Sequence, residues 1–311
     1  MRKIILSLLL LLLVSCSLDL IGNKIIVPED AFIIKKSYED RSNDGRIKIL
    51  VLSDVHADAK KDRITHYEES LEEMKEEMKD ADAIVLLGDI VCSLSESSGR
   101  DALLSFFRTL REKNICNLPV FYVLGNHETD SLSWEKTESY LNEVAGDREN
   151  KSFYYAFKIS NTAFYILNSA YRLFSSSQLD ELEKAVSVND AQYSVFLSHI
   201  PILSNAGDQS MGAMVVEDTE EKARILRILE KCGNSVYLSG HHHSGDDVIE
   251  ISESVAHFIF PSNVEDNYPI LTNSSGCWSV FTLDEKNSIF EIEVHRAEDN
   301  SIERKYSFSF P

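Results

Sequence analysis

The stretch IKILVLSDVH, residues 47–56, indicates the kind of fold that this chain adopts. Its first half is an almost continuous run of leucine and β-branched residues, which is typical of a strand buried on both faces. Such a strand belongs to a sheet that is covered on both sides. Asp54 and His56, two residue types that commonly bind metals, follow directly where the strand ends.

Strands and helices alternate after this stretch. Residues 83–87 and 120–124 repeat the buried-strand pattern, and residues 101–113 carry a stripe of apolar side chains that predicts a helix. This alternation predicts an α/β fold with much parallel pairing. Further predicted elements are a hairpin over 153–159 and 162–168. Two more strands are predicted over 193–197 and 236–238, and C-terminal strands over 278–283, 289–295 and 301–310.

Five of the predicted strands end in metal-binding residue types. The motifs are Asp54-Val55-His56, Gly88-Asp89, Gly125-Asn126-His127-Glu128, Ser198-His199 and Gly240-His241-His242-His243. Because parallel strands bring their C-terminal ends to one edge of a sheet, we expect these side chains to meet there. In the first and last motifs, the i, i+2 spacing predicts that the outer side chains lie on one side of an extended segment. Imidazole, carboxylate and amide ligands suit Zn, Mn or Fe better than Ca or Mg.

Complete and in this order, the motifs resemble those of the calcineurin-like metallophosphoesterases: Asp-x-His, Gly-Asp, Gly-Asn-His-Asp/Glu, a lone His and Gly-His-x-His. The resemblance runs from Asp54 to His243. It implies an α/β fold in the form of a four-layer α/β/β/α sandwich, with the metal site at the C-terminal strand ends. It also implies metal-dependent hydrolysis of phosphate mono- or diesters.

The resemblance implies a role for each motif residue. The ligands of one ion would be Asp54, His56 and His243, those of the other Asn126, His199 and His241, and Asp89 would bridge both. The cofactors would be two divalent or mixed-valence ions of Mn, Fe or Zn, which activate a hydroxide for attack on phosphorus. His127 would bind no metal and would act as the general acid for the leaving group.

Other residues of the same types receive structural interpretations. His66, His257 and His295 are expected to be surface or hydrogen-bonded polar residues, and His242 to face solvent or support its neighbours. Glu128 either orients a ligand by a hydrogen bond or is exposed, and the sequence leaves both alternatives open.

One branch of the superfamily differs at two positions. Purple acid phosphatases have Asp-x-Gly and Gly-Asp-x-x-Tyr, where this chain has His56 and Cys92. The tyrosinate–iron chemistry of that branch is therefore not implied. Cys92 is expected to pack as a small apolar residue rather than to bind a metal.

The first residues predict export. Arg2 and Lys3 precede the apolar run 4–14, which is too short to span a bilayer and is typical of a signal peptide. Leu13-Val14-Ser15-Cys16 resembles the lipobox of bacterial lipoproteins, which implies a lipid on Cys16; an ordinary signal peptide is the alternative. We expect a signal peptide over 1–15, a lipidated cysteine and tether over 16–46, and a metallophosphoesterase domain over 47–311. Within the tether, the alternative for residues 25–27 and 31–34 is that they pack as short edge segments. The protein would be anchored to a bacterial membrane, in the periplasm or on the cell surface.

The composition bears on the partner. The formal net charge is −20. Proteins that bind nucleic acids usually present a basic face, because neutralisation of phosphates drives the binding. We therefore expect a small phosphorylated substrate, such as a nucleotide or phosphomonoester, rather than a nucleic acid. Two alternatives stay open: a non-catalytic surface lipoprotein that binds a ligand on the same scaffold, and a nuclease.

Overall fold

The computed structural model describes residues 27–58, 63–130, 132–144, 153–204, 214–243, 248–266 and 274–311. The predicted signal peptide and Cys16 lie outside these ranges. Among the helices within them, none combines the length and the apolar character needed to cross a membrane.

One sheet contains the strand predicted from the apolar run at residues 47–53. Its three N-terminal strands pair in parallel, and the predicted C-terminal strands extend it in antiparallel fashion. Across the sheet, the strands are β16 (Ile302–Ser309), β15 (Ile289–Arg296), β14 (Cys277–Asp284), β2 (Arg46–Leu52), β4 (Ala83–Leu86) and β5 (Val120–Tyr122).

A second sheet packs against the first. Across it, the strands are β1 (Ser37–Tyr38), β6 (Tyr155–Ile159), β7 (Thr162–Ile166), β8 (Tyr193–Leu197), β9 (Ser235–Ser239), β11 (Val255–Ile259) and β10 (Ile249–Ser252). β6 and β7 form the predicted hairpin. β7, β8, β9 and β11 run parallel, so their C-terminal ends share one edge.

The central strands bury both faces. On β2, Ile49 and Val51 lie in the layer between the sheets, whereas Leu50 lies in the layer beneath the helices. Between the sheets, the rings of Phe121 and Phe157 stack with their centroids 3.6 Å apart. Burial on both sides explains why the strand pattern in the sequence is nearly continuous rather than alternating.

Helices cover the outer faces of the sheets. Leu103 and Phe106 from one helix, and Ile225 and Leu229 from another, are fully buried. Each such side chain contributes about 1.5–3 kcal/mol through burial. The predicted four-layer α/β/β/α sandwich is confirmed. The helices are α1 (Tyr67–Glu73), α2 (Ser97–Lys113), α3 (Asn126–Thr129), α4 (Trp134–Val144), α5 (Ser176–Val188) and α6 (Thr219–Cys232).

The described part of the expected tether, residues 27–46, packs on the sandwich. Phe32 is 1% exposed, and β1 pairs with β6. The backbone N–H of Arg41 donates to Asp82 Oδ1 at 2.7 Å. The burial of Phe32 confirms that residues 31–34 pack on the domain, whereas the pairing of the two-residue β1 leaves no periodic pattern in the sequence.

A small antiparallel sheet supports the loop after β2. Its strands are β3 (Arg63–Thr65), β12 (Val264–Asp266) and β13 (Ser274–Ser275). Thr65 Oγ1 donates to the carbonyl of Val55 at 2.7 Å, and the N–H of Val264 donates to the carbonyl of Asp54 at 3.1 Å. The small sheet therefore fixes the backbone of the first motif through hydrogen bonds to the carbonyl groups of Asp54 and Val55.

Candidate metal centre

The five motifs follow the C-terminal ends of β2, β4 and β5 in one sheet and of β8 and β9 in the other. Their side chains meet where the edges of the two sheets come together. Three overlapping groups of potential metal-binding atoms bring together Asp54, His56, Asp89, His127, His199, His241 and His243. Residues nearly 190 positions apart in sequence thus become neighbours.

One group consists of Asp54, His56 and His243, all of which are buried. Nε2 of His56 lies 3.2 Å from Nε2 of His243, and the latter atom lies 3.4 Å from Oδ1 of Asp54. Two imidazoles and a carboxylate at these separations can bind one cation.

A second group consists of Asp89, His199 and His241. Nε2 of His199 lies 3.0 Å from Oδ2 of Asp89 and 4.0 Å from Oδ1 of Asp54. Asp89 also forms a group with His56 and His127. Its carboxylate therefore lies between the two sets of ligands.

Several buried atoms of the cluster have unused hydrogen-bonding capacity. Among the described residues, none donates to Oδ1 of Asp54 or Oδ1 of Asn126, or hydrogen-bonds Nε2 of His241. An unsatisfied buried polar atom costs about 1–3 kcal/mol. A set of nitrogen and oxygen lone pairs aimed into one space fits divalent cations such as Zn, Mn or Fe.

Left-handed backbone aims these side chains. The φ angle is 51° at Asp54, 45° at His56, 51° at Asp89, 72° at His241 and 57° at His243. This conformation costs an L-residue about 1–2 kcal/mol, and such strain clusters at functional sites. The expectation of an extended segment in the first and last motifs is wrong. The outer side chains converge because the chain turns sharply as it leaves each strand.

Gly88 makes a close approach possible. Its φ is 88°, and a Cβ at this position would lie 2.7 Å from Nδ1 of His199 and 2.8 Å from Cα of Gly125. Any larger residue would push the second and third motifs apart.

Glu128 fixes the turn that carries Asp89. The side chain is fully buried; Oε1 accepts from the backbone N–H groups of Ile90 at 2.7 Å and Val91 at 3.2 Å. Oε2 accepts from those of Asp89 at 3.0 Å and Gly125 at 2.9 Å. Of the two alternatives left open for Glu128, orientation by hydrogen bonds is confirmed and exposure is wrong. Burial and the charge of Asp89 raise the pKa of Glu128 to about 7.

Hydrogen bonds to carbonyl groups orient two of the histidines. Nδ1 of His199 donates to the carbonyl of Leu87 at 2.6 Å, and Nδ1 of His127 donates to that of Cys92 at 2.7 Å. A carbonyl only accepts, so Nδ1 carries the proton in both rings and Nε2 faces the site. Nε2 of His127 lies 3.9 Å from Oδ2 of Asp89, and the side chain remains 35% exposed.

Charges inside the site act on one another. Burial opposes the ionised form of Asp89, but the positive charges of His199 and His127 outweigh it and hold the pKa of Asp89 well below its usual range. Burial lowers the pKa of His199, yet Asp89 and Asp54 raise it to about 10. Burial and then the charge of His199 lower the pKa of His241. In the metal-free chain, these charges favour the neutral form of His241 and the protonated form of His199.

The remaining histidines are not surface residues. Nε2 of His257 hydrogen-bonds with Oγ of Ser239 at 3.0 Å, and Nε2 of His242 donates to the carbonyl of Met214 at 2.9 Å. The alternative of a surface position, or of solvent contact for His242, is wrong because the surrounding strands and loops enclose the rings. The alternative of a hydrogen-bonded polar residue is confirmed for His257 and for His295, whose Nδ1 lies 3.1 Å from Oδ1 of Asn300. The buried side chains are His66, His242, His257 and His295.

The α/β/β/α sandwich thus gathers imidazole and carboxylate groups at its strand ends, in an arrangement that can bind divalent cations. The family model of the calcineurin-like phosphoesterases matches residues 47–245, and the chain belongs to this family. The match ends just beyond the last of the five motifs.

Known proteins resemble the chain in sequence and in fold. A probable cyclic nucleotide phosphodiesterase of Fibrobacter succinogenes is 26% identical over 208 residues, which are 64% of this chain and 73% of that protein. Purple acid phosphatase PPD1 from yellow lupin seeds gives a TM-score of 0.63 at 14% identity, over 85% of this chain and 54% of that one. GAP50, the anchor in the inner membrane complex of Plasmodium, gives 0.59 at 16% identity, over 86% and 89%. The two structures share the fold with this chain.

Proposed function

We propose that this chain hydrolyses small phosphate esters at a centre of two metal ions. The position of Asp89 carries the proposal, because its carboxylate lies within 4.8 Å of donor atoms from His56 on one side and from His199 and His241 on the other. A carboxylate with two oxygens in that place suits a bridging role. The proposed ligands are Asp54, His56 and His243 for one ion, Asn126, His199 and His241 for the other, and Asp89 for both.

The metal ions and His127 would have separate roles in the reaction. Two cations bound there would supply a water of lowered pKa and positive charge for the phosphoryl oxygens. His127 is held by Cys92 through Nδ1 and keeps Nε2 towards the site and solvent. The charge of Asp89 raises the pKa of His127. A raised pKa favours the protonated ring, which can give its proton to the leaving oxygen.

Cyclic nucleotides are the first substrates to test. The relative in Fibrobacter succinogenes is named as a probable cyclic nucleotide phosphodiesterase, and a small anion meets less repulsion than a polymer from a chain of net charge −20. A nuclease is disfavoured on the same ground, because binding of nucleic acid depends on neutralisation of phosphates. A non-catalytic scaffold would be free to lose ligands, whereas every motif residue is present here.

Activity assays test the proposal. The full-length chain with Mn²⁺ is given cyclic nucleotides, bis-p-nitrophenyl phosphate and p-nitrophenyl phosphate. Turnover should vanish in Asp89→Asn. It should persist in the control Glu291→Gln, a substitution that removes the same charge from an exposed position on β15. No turnover with Mn²⁺, Zn²⁺ or Fe²⁺ would reject catalysis on these substrates, and binding without turnover would favour the scaffold alternative.

We also propose that the site works outside the cytoplasm on a lipid anchor. The support is the sequence Leu13-Val14-Ser15-Cys16 after a short apolar run. Cells fed a fatty acid with an alkyne tag should label the native chain and not Cys16→Ser. Equal labelling of both chains, or of neither, would reject the anchor without affecting the hydrolase.

A further inference from the structure

A second cluster of potential metal ligands lies outside the centre described above. His66 follows β3, Glu265 lies on β12, and Glu298 lies in the turn between β15 and β16. One ligand atom from each lies within 4.8 Å of the others. Three segments separated by up to 232 positions, from 66 to 298, thus place an imidazole and two carboxylates together.

His66 presents an unsatisfied nitrogen to this cluster. The residue is only 6% exposed, and its buried Nε2 makes no hydrogen bond with any described residue. Gly276 packs against the ring so closely that a Cβ there would meet the ring carbons. A buried ring nitrogen that is held rigidly and lacks a hydrogen bond is what a cation ligand requires.

The spacing fits a shared cation better than a direct hydrogen bond. Nε2 of His66 lies 3.5 Å from Oε2 of Glu265, beyond the normal hydrogen-bond range of about 2.7–3.2 Å. Two ligands of one tetrahedral zinc ion, at bond lengths of about 2.0–2.2 Å, are separated by about 3.4 Å. Glu298 is exposed, so the cation can enter and keep a water as fourth ligand.

We propose that His66, Glu265 and Glu298 bind a divalent cation of the zinc type, separate from the phosphoesterase centre. The cation fastens the small sheet to the turn after β15. The residues that precede His66 and Glu265 in the chain hydrogen-bond with the first motif. Thr65 donates to the carbonyl of Val55, and Val264 donates to that of Asp54. Occupancy therefore stiffens the loop that carries Asp54 and His56.

Metal counting tests the site. The full-length chain is stripped with a chelator, dialysed against Zn²⁺ and measured by atomic spectroscopy. The native chain should bind one more equivalent of zinc than the double variant Glu265→Gln/Glu298→Gln. The control Glu250→Gln/Glu291→Gln removes the same charge from exposed strand positions and should match the native chain. The difference counts only this site, whatever the phosphoesterase centre binds.

A single substitution guards against misfolding. Glu298→Gln alters an exposed side chain and should lower the affinity for the extra zinc ion at least tenfold. The circular dichroism of the metal-free chain should stay unchanged. Zn²⁺ should raise the melting temperature of the native chain more than that of this variant. Equal zinc content in the native chain and the double variant, or unchanged affinity in Glu298→Gln, overturns the proposal and leaves an ion pair between protonated His66 and Glu265.

Discussion

Substitution of Gly88 by alanine tests how closely the motifs are packed. At its φ of 88°, an L-residue costs about 1–2 kcal/mol. The added Cβ would also lie 2.7 Å from Nδ1 of His199 and 2.8 Å from Cα of Gly125. The backbone of Gly125 must move to relieve this contact, and overpacking of that kind costs a further 1–3 kcal/mol, roughly. We expect Gly88→Ala to lower the free energy of unfolding by about 2–5 kcal/mol.

Gly233 provides the matched control. It also has a positive φ, 71°, with ψ −133°, but no atom of the described residues lies within 4 Å of an added Cβ. Gly233→Ala should therefore cost only the backbone strain, about 1–3 kcal/mol. Urea unfolding of the metal-free chains, followed by circular dichroism, measures both variants. Equal losses of stability would refute the close approach at Gly88.

The same substitution should affect the site itself. Nδ1 of His199 is bonded to the carbonyl of Leu87 at 2.6 Å, and the new methyl group competes for that space. A displaced His199 ring no longer lies beside Asp89, so we expect weaker metal binding and at least a tenfold loss of kcat/KM, a misplacement effect of the usual order. Gly233→Ala should retain both. Full activity and metal content in Gly88→Ala would contradict this reasoning.

Three further predictions follow from individual side chains. His127→Asn should lower kcat by about 10²–10⁴-fold with metal content unchanged, and full activity in this variant would exclude a general-acid role. In the metal-free chain, the raised pKa of His199, about 10, contributes stability that is complete below pH 6.5, roughly its unfolded value, and is lost as pH rises through 10. Denaturant titrations across that range should show the decline in the native chain and not in His199→Gln; identical profiles would contradict it. Phe32→Ala should cost about 3–5 kcal/mol, whereas Ile33→Ala, at a side chain that is 43% exposed, should change stability by less than about 0.5 kcal/mol. Similar small effects of the two would show that the segment before β2 does not stabilise the sandwich.

Glu128 shows why part of the site was beyond the reach of the sequence. Its residue type is compatible with a surface carboxylate, and the four N–H groups that it accepts from belong to the turn after β4 and to Gly125. Only the packing of two strand ends against each other brings those donors around one side chain. A carboxylate that accepts four backbone hydrogen bonds is a tertiary feature.

The left-handed backbone of the motifs has the same origin. The spacing of Asp54 and His56 is equally compatible with an extended segment, which alternation along a strand predicts. The structure has φ angles of 51° and 45° there instead. Local propensity disfavours this conformation for both residues, so the surrounding packing and the hydrogen bonds from the small sheet must maintain it.

The sequence by itself determined the layers and the ligand types. Strands buried on both faces leave a continuous apolar signal, as in residues 47–53, and polar residues at their ends stand out against it. Tertiary structure alone brought the candidate ligands within 4.8 Å of one another and paired β1 with β6, because each depends on contacts between distant segments. It also placed His66 beside Glu265 and Glu298. No spacing rule links positions 66, 265 and 298, and only the folded chain makes them neighbours.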